Sequence, residues 1–259
     1  MTGGSDDRAM QDRVIRALAD ARYRASPGWQ ASHLADPDRV ERYARFLARH
    51  FYYERIVQFF KYSRSLARVT GRAPEAVLQG DGFDVLLPSV VLGSRETAQA
   101  VARLVVAYVA AARAAIPYLV DLLRYEEAMM LVEAGPRVWR ETGKGETGNG
   151  KGEPPETVEG TLLLDLQYDL PAELPKLLQP STELPPAPER PTQLLVARSA
   201  HGRVAVARSD AGIAALVQLA DGKRTLEQLA AGAGLAVGDL EATLRGLVEL
   251  GAVRFSTGS

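Results

Sequence analysis

The chain has 259 residues, enough for two modest cores. With 46% apolar residues, 24% charged residues and a formal net charge of -1, its composition is that of an ordinary globular protein, and its charge singles out no partner class. Cysteine is absent, which excludes disulfides, a thiolate nucleophile and thiolate metal ligation within the chain.

The amino terminus is polar and acidic and lacks the apolar run of a secretory signal. The longest apolar stretch, Val101 to Val120, is interrupted by Arg103, Arg113 and Pro117, which argues against a membrane span. A cytoplasmic protein is expected.

From Asp7 to about Arg24, the apolar residues Met10, Val14, Leu18 and Ala21 recur at helical spacing and predict a surface helix. After a loop at Ser26 to Trp29, Asp36 and Pro37 open a second helix that is expected to run to Val69 and stop at Gly71. Its middle interleaves aromatics with cations: Arg45, Phe46, Arg49, Phe51, Tyr52, Tyr53, Arg55, Phe59 and Phe60. Phe46, Tyr53 and Phe60 repeat every seven residues with Val57 on the same face, which predicts a buried stripe with the arginines toward solvent. Base stacking and a surface for a protein partner are the other readings of this stretch.

Thr70 to Pro74 is a break, and Pro74 to Leu87 reads as one or two short helices. Ser94 starts a strong amphipathic helix through Ala115, which Pro117 bends or restarts. Beyond it, Leu119, Leu122, Leu123, Ala128, Met129 and Val132 are expected to face a bundle core, with Asp121, Arg124, Glu126 and Glu127 on or near its edge. The adjacent Glu126 and Glu127 point about 100° apart on a helix, and no histidine stands near them in sequence, which disfavours acid/base or metal chemistry.

Thr142 to Pro155 is rich in glycine and lacks apolar residues, so it reads as a flexible linker. Leu162 to Asp169 reads as a strand, and Pro171 to Pro191 as a crossing segment with a turn of helix at Ala172 to Leu178. Gln193 to Arg208 forms a hairpin turning at Ser199 to Gly202. Three short helices follow: Ala211 to Leu219, one opened by a Thr225/Gln228 capping box and closed by Gly232 and Gly234, and one capped by Asp239 and stopped at Gly251. A final strand at Val253 to Phe255 completes the outline of a winged-helix-like module.

Such modules bind DNA when the third helix is basic. Here its exposed positions are Asp239, Glu241, Thr243, Arg245, Gly246 and Glu249, an acidic surface that disfavours phosphate contact. The alternative use is strand addition, with Arg203, Val204, Ala205, Val206, Ala207 and Arg208 as a candidate edge: its alanines permit close approach, and its arginines suit an acidic peptide. An ordinary hairpin with Val204 and Val206 in the core explains the same residues equally well.

Residues 193–255, with Asp221-Gly222-Lys223-Arg224-Thr225-Leu226 and Leu247-Val248-Glu249-Leu250-Gly251, resemble the PqqD-like precursor-peptide recognition domain of ribosomal peptide (RiPP) pathways. Upstream, Arg39 and Tyr43 fit an RxxxY string, and Pro117-Tyr118-Leu119-Val120-Asp121-Leu122 with Glu126 fits PYLxDLxxxE. Both strings resemble those of the HvfC/TglI and methanobactin-partner group, which also carries an older label as DNA-binding domains.

The resemblance implies a mainly α chain with a small α/β part: an N-terminal helical bundle over 1–140 that holds a multinuclear non-haem iron-dependent oxidase, a Gly-rich linker over 141–160, and a C-terminal winged-helix-like domain over 161–259 that captures a leader peptide. The chain itself is then expected to be non-catalytic and free of cofactor, with iron in the partner oxidase and no membrane or nucleic-acid partner. The expected peptide site is the edge Arg203 to Arg208 with Leu240, Thr243, Leu244 and Leu247, and the expected oxidase-facing set is Arg45, Arg49, Tyr52, Tyr53, Tyr118, Asp121, Arg124 and Glu126. A winged-helix transcription regulator is the second reading and a hydrolase or metalloenzyme the third, against which the three histidines, His33, His50 and His201, are scattered along the chain.

Overall fold

The structure is a computed structural model and describes residues 3–31, 36–135, 154–179, 184–199 and 201–255. The chain is mainly helical with a small sheet part and divides into two compact units, Met1–Glu127 and Ala128–Ser259. No described helix is long and apolar enough to cross a membrane.

The first unit begins with α1 (Gly3–Ala19), α2 (Ala21–Arg24) and α3 (Pro27–Gln30), followed by the long α4 (Pro37–Phe59). Asp20, Ser26 and Asp36 each accept a backbone N–H from the first turn of the helix they precede, filling a donor that the helix itself leaves unpaired. Next come α5 (Lys61–Ser65), α6 (Ala67–Thr70), a 3-10 turn at Pro74–Gln79, α7 (Asp81–Leu86) and a second such turn at Leu87–Ser89. Then follow α8 (Arg95–Ala110), capped by Ser94, and α9 (Leu119–Glu133), within which the division between the units falls.

Two expectations for α4 are corrected. The helix does not run on to Val69: it breaks at Phe60, where φ is -98° and ψ is 33°. In an unbroken helix the N–H groups of Tyr62 and Ser63 would reach back one turn, but here they turn to the Glu126 carboxylate instead. The buried face is also not the aromatic repeat. Phe46 and Tyr53 are exposed, while Ala44, Ala48, Tyr52, Ile56 and Phe59 face inward. The alanines let α4 approach its neighbours closely, and Tyr52 and Phe83 meet edge to face with centroids 6.3 Å apart.

In α8, buried residues Thr97, Ala98, Val101, Ala102, Val105 and Val109 follow helical spacing and pack against α7 and the Pro74–Gln79 turn. On α9, Leu122 and Leu123 are buried as expected; Met130 rather than Met129 is fully inside, and so are Asp121 and Glu126.

The second unit contains β1 (Pro155–Thr157), β2 (Leu162–Leu166), α10 (Leu174–Leu177), β3 (Thr192–Arg198) and β4 (Val204–Ser209). After them come α11 (Ala211–Leu219), α12 (Leu226–Ala233), α13 (Val237–Leu250) and β5 (Val253–Phe255). Residues 141–153 of the expected linker lie outside the described residues. Its end is corrected: Pro155–Thr157 is a strand, antiparallel to β5 with Glu156 opposite Arg254. The closing strand thus belongs to this two-stranded sheet and not to the hairpin.

β2, β3 and β4 form an antiparallel sheet in that order, with β3 in the middle. Leu194, Leu195, Val196 and Ala197 are all buried, so the sheet is covered on both faces. One face, with Leu195 and Ala197, joins Leu216, Leu229, Leu240, Leu244 and Leu247 of the three helices in a single core. The capping box at Thr225 and Gln228 forms as the spacing predicts, and Gly234 and Gly251 end α12 and α13 in the left-handed conformation. α13 starts earlier than expected, with Ala236 rather than Asp239 at its N-cap.

Candidate functional site

β4 is the margin of the three-stranded sheet: β3 lies on one side, and no strand among the described residues pairs with the other. The turn that precedes it fixes which groups face outward. Gly202 N–H donates to the Ser199 carbonyl and Ser199 N–H to the Arg203 carbonyl, with Gly202 at φ +75°. Ser199 and Arg203 are therefore a bonded pair of the ladder, and Gly202 holds the left-handed conformation that glycine favours. Bonded and non-bonded pairs then alternate along the ladder, so Ala205, Ala207 and Ser209 spend their backbone groups on β3, and Val204, Val206 and Arg208 direct theirs outward. The sequence leaves this register open, with Ala205 and Ala207 as candidates to face a peptide; the structure turns their backbone groups to β3 instead.

Cross-strand partners share a face of the sheet. Ala205 and Ala207, opposite Ala197 and Leu195, stand on the helix-covered side; Val204 and Val206 stand with Leu194 and Val196 on the other. Every residue from Val204 to Ala207 is half-buried, which keeps the margin narrow and accessible.

The two arginines that flank the strand differ in what they are free to do. Arg208 donates to the buried carboxylate of Asp169 at 2.5 Å, so it is already committed inside the unit. Arg203 is exposed and makes no ion pair among the described residues. A third arginine was missed in the sequence: Arg198, at the end of β3, donates to the carbonyls of Glu133 and Gly135 at 2.7 and 3.3 Å, holding the C-terminal end of α9. Nothing in the sequence pairs it with residues 63 and 65 positions upstream.

The expected contribution of α13 to this site is corrected. Leu240, Leu244 and Leu247 lie in the core beneath the sheet and have no surface to offer. Thr243 is partly exposed, but its hydroxyl donates to the carbonyl of Asp239 one turn back. The surface of α13 is Asp239, Glu241, Arg245 and Glu249, with three acids to one base.

The residues expected to face an oxidase also divide. Tyr52, Tyr118, Asp121 and Glu126 are buried and serve the interior of the first unit, a correction to their surface assignment. Burial pushes the Tyr52 phenol up to about 12 and the Glu126 carboxyl up to about 8. Arg49 is held by Asp84 and by the Leu78 carbonyl at 3.2 Å; Arg45 pairs with Glu41 at 2.9 Å, and Arg124 approaches Asp121 at 3.7 Å. Tyr53 and the exposed flanks of Arg45 and Arg124 remain at the surface.

Among the described residues, no three His, Asp or Glu side chains come together as a metal-ligand set; His33 lies outside those residues. No protein-family profile matches the chain, and no curated protein matches it.

Proposed function

We propose that this chain is a non-catalytic partner subunit in ribosomal peptide maturation. Its second unit is a winged-helix-like, PqqD-like domain that binds a precursor's leader peptide by strand addition, and its helical unit docks to a cytoplasmic multinuclear non-haem iron oxidase, which performs the chemistry. The observation that carries this reading is the open margin of β4, where the backbone groups of Val204, Val206 and Arg208 face outward. The hairpin and its three helices resemble the recognition domain of such pathways, and Arg203, exposed and without an ion pair among the described residues, supplies a cation at one end of the margin.

The sheet has a second margin, β2, and charge distinguishes the two. β2 presents Asp165 at its surface, which repels the acidic segment that Arg203 would attract. On β4 the incoming strand would exchange bonds with Val204, Val206 and Arg208, with its side chains alternating across both faces.

The test is titration of the full chain with a synthetic leader peptide made from the short precursor gene adjoining an oxidase gene. Val206→Pro removes an outward N–H and leaves the ladder to β3 intact, so it is expected to abolish binding while thermal unfolding stays cooperative. Undiminished peptide affinity in that variant would overturn the strand-addition geometry.

A further inference from the structure

Backbone bonds to an added strand are available to every peptide, so selectivity on β4 has to come from side chains along the margin. Few of those between Arg203 and Ser209 can supply it. Side chains alternate between the two faces of the sheet, and the bond between Ser199 and Arg203 extends the β3–β4 ladder as far as Arg203. Arg203 therefore shares the helix-covered face with Ala205, Ala207 and Ser209, while Val204, Val206 and Arg208 occupy the other.

On the helix-covered face, Ala205 and Ala207 end at a methyl group, and the Ser209 hydroxyl donates to the Asp210 carbonyl at 3.2 Å. Arg203 is the one long side chain there. On the opposite face the valines carry no polar group, and the one cation, Arg208, is held by Asp169. Arg203 is exposed and has no ion pair among the described residues.

The backbone adds a second constraint. Because Arg203 spends its backbone groups on β3, its pairing with an added antiparallel strand is a non-bonded one, in which Cα atoms stand about 4.5 Å apart and side chains lie closest. An acid opposite Arg203 is stabilised at that distance, and a base is repelled. An antiparallel strand passes Arg208 first and Arg203 last, so the acid falls at the carboxyl end of the paired stretch.

We propose that Arg203 selects the leader peptide and sets its direction and register. The strand enters antiparallel to β4, its first, third and fifth paired residues exchange backbone bonds with Arg208, Val206 and Val204, and its sixth is an Asp or Glu opposite Arg203. The inference rests on the strand-addition reading of β4 and adds to it the chemistry of what is selected.

The test is fluorescence anisotropy of the full chain with the same synthetic leader peptide, in which each Asp and Glu is exchanged singly for Lys. One exchange is expected to weaken binding to the wild type about tenfold and to be restored by Arg203→Glu, which itself weakens the unaltered peptide about tenfold. N-methylation removes a backbone donor from the peptide. It is expected to weaken binding one, three and five residues before that acid and to be tolerated two and four residues before it. A peptide that binds while none of its exchanges is restored by Arg203→Glu, or whose sensitive amides follow the acid, would overturn the proposal; strand addition itself stands if Val206→Pro still abolishes binding. A wild-type chain that does not bind the peptide overturns the functional reading and this proposal with it.

Discussion

The carboxylate of Glu126 accepts the backbone N–H of Ser63 through both oxygens, at 3.1 and 3.3 Å, and that of Tyr62 at 2.7 Å. A side chain on α9 thereby caps the N-terminus of α5 from a distance of 63 residues in sequence, doing the work that a local cap does elsewhere. It also lets the chain break at Phe60, which is itself fully buried.

The same contact makes stability depend on pH. Burial raises the Glu126 carboxyl to about 8, outweighing the lowering effect of the Ser63 and Tyr62 hydrogen bonds and of Lys61. The folded state therefore holds a proton that the unfolded chain, with an ordinary carboxyl near 4.5, has released. The contribution is fully present below about pH 4.5 and is lost as pH rises through about 8, at up to about 1 kcal/mol per pH unit. Urea unfolding of the wild type across that window is expected to weaken steadily toward alkaline pH. Glu126→Gln, which keeps an acceptor and cannot ionise, is expected to flatten the profile, and Glu126→Ala, which strands the Tyr62 and Ser63 donors, to cost about 2–4 kcal/mol at acid pH and progressively less as pH rises through about 8. An unchanged slope in the Gln variant would assign the pH dependence to another group.

Arg203 and Arg208 look equivalent in sequence and are expected to behave differently. Arg208→Ala leaves the buried Asp169 without its cation and is expected to lower stability by about 1–3 kcal/mol. Arg203→Ala is expected to change stability by less than about 0.5 kcal/mol and to weaken binding of an acidic leader peptide, with the loss diminishing at high salt. Denaturant midpoints and peptide titrations on the two variants separate these roles. Equal stability losses would place Arg203 in an ion pair of its own.

Two glycines, Gly246 inside α13 and Gly251 at its end, are expected to respond with opposite sign. Gly251, at φ +82°, stands where an added Cβ would lie 2.1 Å from the carbonyl oxygen of Arg198, backbone that cannot swing aside. Gly251→Ala is expected to cost about 3 kcal/mol or more. An added Cβ at Gly246 meets nothing within 4 Å. Gly246→Ala is expected to stabilise the protein by about 0.5–1 kcal/mol through helix propensity alone. Thermal midpoints measured side by side give the comparison.

Local signals in the sequence were read correctly where the cause is local. Asp36 with Pro37, Ser94, Thr225 with Gln228, Gly234 and Gly251 each mark a helix end within a few residues of the group they satisfy. The turn of helix in the Pro-rich passage and the hairpin itself were legible for the same reason. The break in α4 was not, because its cause is a carboxylate on another helix. The inward face of α4 was hidden by side-chain size: Phe46 and Tyr53 drew attention as core, while the small Ala44 and Ala48 set the packing face. At the candidate site the margin strand is legible in the sequence, but its outward register is not: it follows from the bond between Ser199 and Arg203, which no spacing encodes. The commitment of Arg208 to Asp169 and the burial of Leu240, Leu244 and Leu247 depended on contacts that no spacing encodes.

The pairing of β1 with β5 clasps the first strand of the second unit to its last. Thr157 is also tied to α11, its N–H donating to the Ala220 carbonyl at 2.8 Å and its hydroxyl to that of Val217 at 2.5 Å, and Glu156 meets Arg254 across the ladder at 2.9 Å. Cutting the chain back to Gly251 would therefore loosen two distant segments at once, and a fusion grafted after Phe255 would emerge beside Pro155.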